Sequence, residues 1–231
     1  MTVRNARRVL TTVVFATLIF AAGGAAAQHF SCPKRGGEFV FGQQAKINSL
    51  DQHASATAST RNIAMNIFEG LLTRDENFAV MPRLAASVDT SADGKTYVFK
   101  LRQGVKFHNG KTLTSADVAA SFDRYKRIGI DRGMLDPVEK WEAPDPATFV
   151  IALKAPVPTF LESLSSFLVP IAIVPAENAG AEAMQLKPVG TGPFEFVELV
   201  ADSHVKLKRF DGYAPDTRFR DIDGFGGYKV A

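Results

Sequence analysis

Apolar and polar positions along the chain change period several times, and each change marks an element. In "SVDTSADGKTYVFKLR", Tyr97, Phe99 and Leu101 alternate with Val98 and Lys100, the period-2 signature of a half-buried strand. Asp93-Gly94 just upstream is a strong hairpin turn. "LLTRDENFAVMP" predicts a smaller hairpin turning at Asp75-Glu76-Asn77, its second strand ended by Pro82. "VEKWEAPDPATFVIALK" predicts a third, turning at Pro144-Asp145-Pro146, and "GTGPFEFVEL" followed by "HVKLKRF" adds two more strands. "GGEFVFGQQ" (36–44) reads as a strand with Phe39 and Phe41 on one face, and "RFRDIDGFGGYKVA" as further short strand.

The period lengthens elsewhere. Ile63 and Ile67, like Ala64 and Phe68, recur four residues apart in "RNIAMNIFEG", which predicts a helix capped by Ser59 or Thr60 and stopped at Gly70. Thr114-Ser115-Ala116-Asp117 is a capping box, opening a helix with Val118, Phe122 and Tyr125 on one side. "TFLESLSSF" predicts a short helix, and "LVPIAIVP" is an apolar segment bracketed by prolines. Hairpins and short helices alternate without a regular βαβ spacing, so the fold class is mixed α/β, with α+β-like organisation.

The first 27 residues differ from the rest. Arg4, Arg7 and Arg8 precede the apolar run Val9–Ala22, and Ala25-Ala26-Ala27 offers small residues for cleavage. The run is short for a membrane span, and the arrangement is that of a secretory signal peptide cleaved after Ala27. Residues 28–37 then form a flexible leader. Arg7-Arg8 hints at twin-arginine export, but "NARRVLT" matches that signal poorly. The single cysteine, Cys32, cannot form an internal disulfide, and "HFS" before it lacks the apolar and small residues of a lipidation site.

Charge follows the same division. The chain carries 27 basic and 24 acidic residues, net +3. Without the three N-terminal arginines, 24 basic residues stand against 24 acidic ones. A neutral body lacks the clustered positive charge that phosphate backbones require, which argues against nucleic acid as a partner. "YVFKLRQGVKF" also lacks the core of an RNA-recognition strand, and Lys100 and Arg102 fit the solvated face of a sheet.

Catalytic signatures are missing. His108 sits beside the Asn109-Gly110 turn, far in sequence from His29, His53 and His204, with no metal-ligand spacing. It reads as a turn residue. No GxSxG elbow occurs, and "GTGP" (190–193) lacks the Lys-Ser/Thr of a phosphate loop. The carboxylates are scattered, and nothing calls for a cofactor or a metal.

"NSLDQH" (48–53), "NIFEGLLTRDENFAVMPRLAASVDTSADGKTYVFKLRQGVKFHNGKTLTSADVAASFDRY" (66–125), "PVGTGPFEFVE" (188–198) and "LKRFDGY" (207–213) together resemble the family 5 extracellular solute-binding proteins of ABC importers for peptides, nickel and other solutes. The resemblance covers nearly all of the chain after the signal. It departs at Ala86-Ser87-Val88, where the family usually has "ESW", and at Asn109, where it usually has Asp. It extends only over the family's N-terminal half. It therefore implies a periplasmic-binding-protein type II-like lobe I with an outer hairpin-rich subdomain, over residues 38–231 and incomplete, the second lobe missing.

What the resemblance implies for function is non-covalent capture of a peptide or similar small solute in the periplasm, and delivery to the permease subunits. The 96–118 stretch is then scaffold. In similar proteins the loop after the first strand faces the cleft, which nominates Gln43, Gln44 and Lys46 as ligand contacts. The loop "GIDRGML" (129–135) adds Arg132 and Met134. Two other readings compete: a secreted one-lobe sensor or chaperone-like binder, and a secreted hydrolase. A smooth polar surface on a stable monomer would favour the first. A cleft holding two convergent, perturbed titratable groups would favour the second.

Overall fold

The computed structural model describes residues 36–75 and 77–216. In chain order these form α1 (Ala58–Ala64), β1 (Leu72–Arg74), β2 (Val80–Pro82), β3 (Ala85–Thr90), β4 (Thr96–Leu101), α2 (Ser115–Ile128), β5 (Val138–Asp145), β6 (Thr148–Leu153), α3 (Phe160–Leu164), β7 (Phe194–Val200) and β8 (His204–Arg209), with short 3-10 helices at Arg132–Leu135 and Ala176–Asn178. The mixed α/β class holds, with antiparallel sheets.

The largest sheet is antiparallel with strand order β3-β4-β6-β5. Its register follows from the alternation along β4. Phe99 lies opposite Val88 on one side and Phe149 on the other, and Tyr97 lies opposite Ile151. Tyr97, Phe99 and Leu101 are buried while Lys100 is exposed, so a shift by one residue would turn the aromatics to solvent. Gly94 supplies the left-handed turn residue at φ 68°. Pro144 sits in β5, an outer strand where its missing N–H breaks no inner ladder. Helix α2 packs Phe122 against Phe149 and Trp141, with ring centroids 4.9 and 5.8 Å away. Its start matches the sequence reading: the Asp117 carboxylate accepts from both the Thr114 N–H and hydroxyl, each at 2.9 Å.

Two predicted elements change. Helix α1 is capped by Thr57, whose side chain accepts from Thr60 N–H, and it ends at Ala64. Ile67 and Phe68 are buried but lie beyond the helix, because the backbone turns there to let Gly190 and Gly192 approach Ile67. The i,i+4 spacing was therefore a shared buried face, not helix length. Residues 36–44 form no strand. Phe39 is 88% exposed and Val40 82%, and no described strand pairs with the segment to complete its backbone hydrogen bonds. The predicted strands in 217–231 and the signal peptide lie outside the described residues.

Strands β7 and β8 form a separate hairpin. Phe196, Leu199, Val205 and Leu207 line its inner face, over a cluster containing Leu50, Ile67 and Val174. His108 joins it to the rest. Its Nδ1 accepts from Gly190 N–H at 3.3 Å, which leaves the proton on Nε2 to donate to Gly192 O at 2.9 Å. Its ring also meets Phe210 edge-on at 4.9 Å. Burial holds its pKa below the usual 6.5. His108 is thus a structural tie between a turn and a loop.

Candidate functional site

Two neighbouring depressions share Ser166. The first, about 70 Å³, is walled by Met65, Phe68, Leu72, Phe167 and Pro170, with Gln52, Glu69, Arg83 and Ser165 among them. The second, about 250 Å³ and more open, is bordered by Arg74, Asp131, Met134, Glu162, Ser163 and Val169. The walls thus come from the loop before α1 at Gln52, the end of α1, strand β1, Arg83 between β2 and β3, α3 with the segment after it, and the 3-10 helix at 132–135.

Buried charges brace this region. Asp51 and Arg124 are fully buried and paired through two parallel bonds of 2.9 and 2.7 Å. Such a planar fork suits a guanidinium and a carboxylate. Asp51 also accepts from the Met184 N–H at 2.9 Å, and Arg124 donates to the Ala181 and Glu182 carbonyls. Beside Asp51, the His53 imidazole bonds the Ala172 carbonyl at 2.8 Å. Burial, with the Arg124 charge adding to it, lowers its pKa from 6.5 to about 4.

A second network backs the smaller depression. Arg83 pairs with Glu69 at 2.7 Å, Thr191 donates to Glu69 Oε2 at 2.8 Å, and the Tyr213 hydroxyl lies 2.9 Å from Arg83 and 3.2 Å from Glu69. Burial, with the Glu69 charge adding to it, pushes the Tyr213 hydroxyl well above its usual range. The Glu69 charge is therefore met inside the network. Arg74 is similarly engaged, donating to Ser165 Oγ and to the Glu162 and Phe78 carbonyls.

Among the described residues no three His, Cys, Asp or Glu side chains converge as a metal-ligand set. No described helix is long and apolar enough to cross a membrane.

The sequence-nominated residues scatter. Met134 borders the larger depression. Arg132 is exposed one residue past Asp131. Gln43 is half-buried, its amide atoms sealed from solvent and unpartnered among the described residues. Gln44 is exposed, and Lys46 is exposed and paired with Asp202 at 2.9 Å. Neither depression brings the two groups together. Sequence reasoning missed Gln52, Glu69 and Arg83. Nothing in periodicity separates a glutamine lining a cavity from one in a solvated loop.

Comparison with known proteins gives this arrangement its context. The family model of bacterial extracellular solute-binding proteins, family 5 Middle, matches residues 79–225. The glutathione-binding protein GsiB of Pectobacterium atrosepticum is 31% identical over 202 residues, which is 84% of this chain and 38% of that protein. GsiB of Escherichia coli K12 is 32% identical over 206 residues, with 84% and 39% covered. The chain thus spans less than two fifths of the length of these relatives. Among solved structures, AgaA from A. tumefaciens R10 in complex with agropinic acid superposes with a TM-score of 0.65 at 34% identity, covering 71% of this chain and 34% of that one. NikA from Brucella suis in complex with Fe(III)-EDTA gives 0.64 at 28% identity, covering 71% and 35%. These neighbours have the periplasmic-binding-protein type II fold, and this chain covers part of it. With a family model matched over most of its length, the chain belongs to the family 5 bacterial extracellular solute-binding proteins.

Proposed function

We propose that this chain contributes the first-lobe part of the substrate-binding component of an ABC importer, exported to the periplasm by residues 1–27. It captures a peptide or similar small solute without covalent chemistry and presents it to the permease. The observation that carries the reading is the pair of depressions sharing Ser166, one about 70 Å³ and the other about 250 Å³, in a chain of this family. Glu69, Arg83 and Arg74 are spent on scaffold contacts, Asp131 and Glu162 stand exposed at the edge of the larger depression, and the rest of the lining is apolar or hydroxylic apart from the Gln52 amide. That is the composition of a recognition surface, apolar walls with a few placed polar groups. Met134 is the sequence-nominated contact that lies on it, while Gln43, Gln44, Lys46 and Arg132 are proposed as contacts from beyond its rim.

Solute capture in two-lobed binding proteins works by closure of one lobe on the other. A chain spanning 38% of a relative's length offers one side of such a grip. The expected behaviour is weak solute binding by this chain alone. Isothermal titration with a panel of di- to pentapeptides tests it, and micromolar or tighter affinity for any of them would contradict the one-sided grip. Import is tested separately, by whether disrupting the gene abolishes uptake of a solute that the native host otherwise takes up.

A further inference from the structure

We infer that the smaller depression is a recognition pocket for an uncharged carboxamide or peptide group, with Gln52 as the side chain that sets this preference. The inference deepens the solute-binding reading and rests on it for the meaning of the groove.

Gln52 is only 4% exposed, yet it lines the cavity. No described group hydrogen-bonds its amide, and its nitrogen and oxygen are not among the atoms sealed from solvent. Its remaining accessible surface therefore includes the amide, which opens on the cavity it lines. An amide this deeply placed needs a partner, water or solute, and this one can take it only from the cavity it faces. The backbone that carries it is anchored on both sides. Asp51 before it is locked to Arg124, and His53 after it is locked to the carbonyl of Ala172, itself a wall residue.

The surroundings select the class of partner. An ammonium group would need a free carboxylate, but both oxygens of Glu69 already accept from Arg83, Thr191 and Tyr213. A carboxylate would need a free cation, but Arg83 is occupied by Glu69 and Tyr213, and Arg74 by Ser165 and two carbonyls. What remains is one amide, donor and acceptor side by side, between Met65, Phe68 and Phe167. A second amide pairs with it, its C=O accepting from the Gln52 NH2 and its N–H donating to the Gln52 Oε1. The Ser166 hydroxyl accepts from the Leu168 N–H at 3.3 Å and keeps its own proton available. A cavity of about 70 Å³ holds a group of that size and little more.

The test uses the full chain labelled with [15N]glutamine. Propionamide, propionate and propylammonium are titrated at pH 7 while the side-chain NH2 signals are followed, with Gln52→Met assigning the Gln52 pair. Propionamide should move the Gln52 signals saturably, and the two charged probes should bind about tenfold or more weakly, the effect of leaving a buried hydrogen-bonding group unpaired. In Gln52→Met the preference for the amide should vanish. No saturable shift with propionamide, equal response to propionate, or a preference that survives in Gln52→Met overturns the inference. If Gln52→Met does not fold, the ranking of the three probes on the wild type decides. Propionamide binding without any peptide capture would sink the solute-transport reading and leave this one standing. The reverse result would do the opposite.

Discussion

Removing one partner of the buried Asp51–Arg124 pair should cost far more than the pair itself is worth. In Arg124→Met, Asp51 keeps the N–H groups of His53 and Met184 but loses both guanidinium bonds, and its carboxylate has no solvent contact. An unpaired buried charge of this kind costs about 3–5 kcal/mol. The double variant Asp51→Asn/Arg124→Met removes the charge and keeps an acceptor for one of those N–H groups, since His53 binds Oδ1 and Met184 binds Oδ2. It should recover part of the loss, the remainder being the other N–H and the two carbonyls, of Ala181 and Glu182, that Arg124 no longer caps, at about 1 kcal/mol each. Urea denaturation at pH 7 reads the difference, with an unchanged m-value required for the comparison. A single-variant loss below about 1 kcal/mol, or a double variant no more stable than the single, would refute the claim that an uncompensated buried charge governs this site.

Acid and backbone crowding give two further expectations. Because the folded His53 pKa is lowered to about 4, the unfolded chain binds more protons between about 6.5 and 4, so stability is full above 6.5 and falls as the pH drops through that window, by up to ~3 kcal/mol. Urea midpoints from pH 7.5 to 4.5 should show this slope, and His53→Gln, which keeps a donor for the Ala172 carbonyl, should flatten it; an equal slope in the variant would assign the effect elsewhere. Gly190→Ala would set a Cβ 2.1 Å from the Ile67 carbonyl oxygen, so the backbone must shift. A loss of ~2 kcal/mol and a Tm lower by about 4–8 °C are expected. Gly180→Ala, with nothing within 4 Å, should show no such loss by the same melting assay.

The sequence by itself determined the local elements and the family. The β4 alternation, the Asp93-Gly94 turn, the Thr114/Asp117 cap and the β7–β8 hairpin all express rules acting within a few residues, and the structure keeps each of them. The motifs that carried the resemblance also have a shared physical origin. Glu69 of "FEGL", Arg83 of "PRLA", Thr191 of "GTGP" and Tyr213 of "DGY" meet in one buried network. Their identities were legible along the chain, but their meeting was not, since they lie up to 144 positions apart.

Only the tertiary structure decided the rest. It shortened α1 to Ala64, because the backbone beyond it is shaped by Gly190 and Gly192 packing against Ile67. It left Phe39 and Val40 exposed, because a strand exists only where another strand supplies its hydrogen bonds, and period 2 cannot say whether one does. It also chose which polar residues are free to act. Asp51 is consumed by Arg124 and Glu69 by Arg83, while Gln52 is left unpaired at a cavity. Whether a polar group is spent or available depends on which distant group reaches it, and that is fixed by packing across the chain, not by neighbours along it.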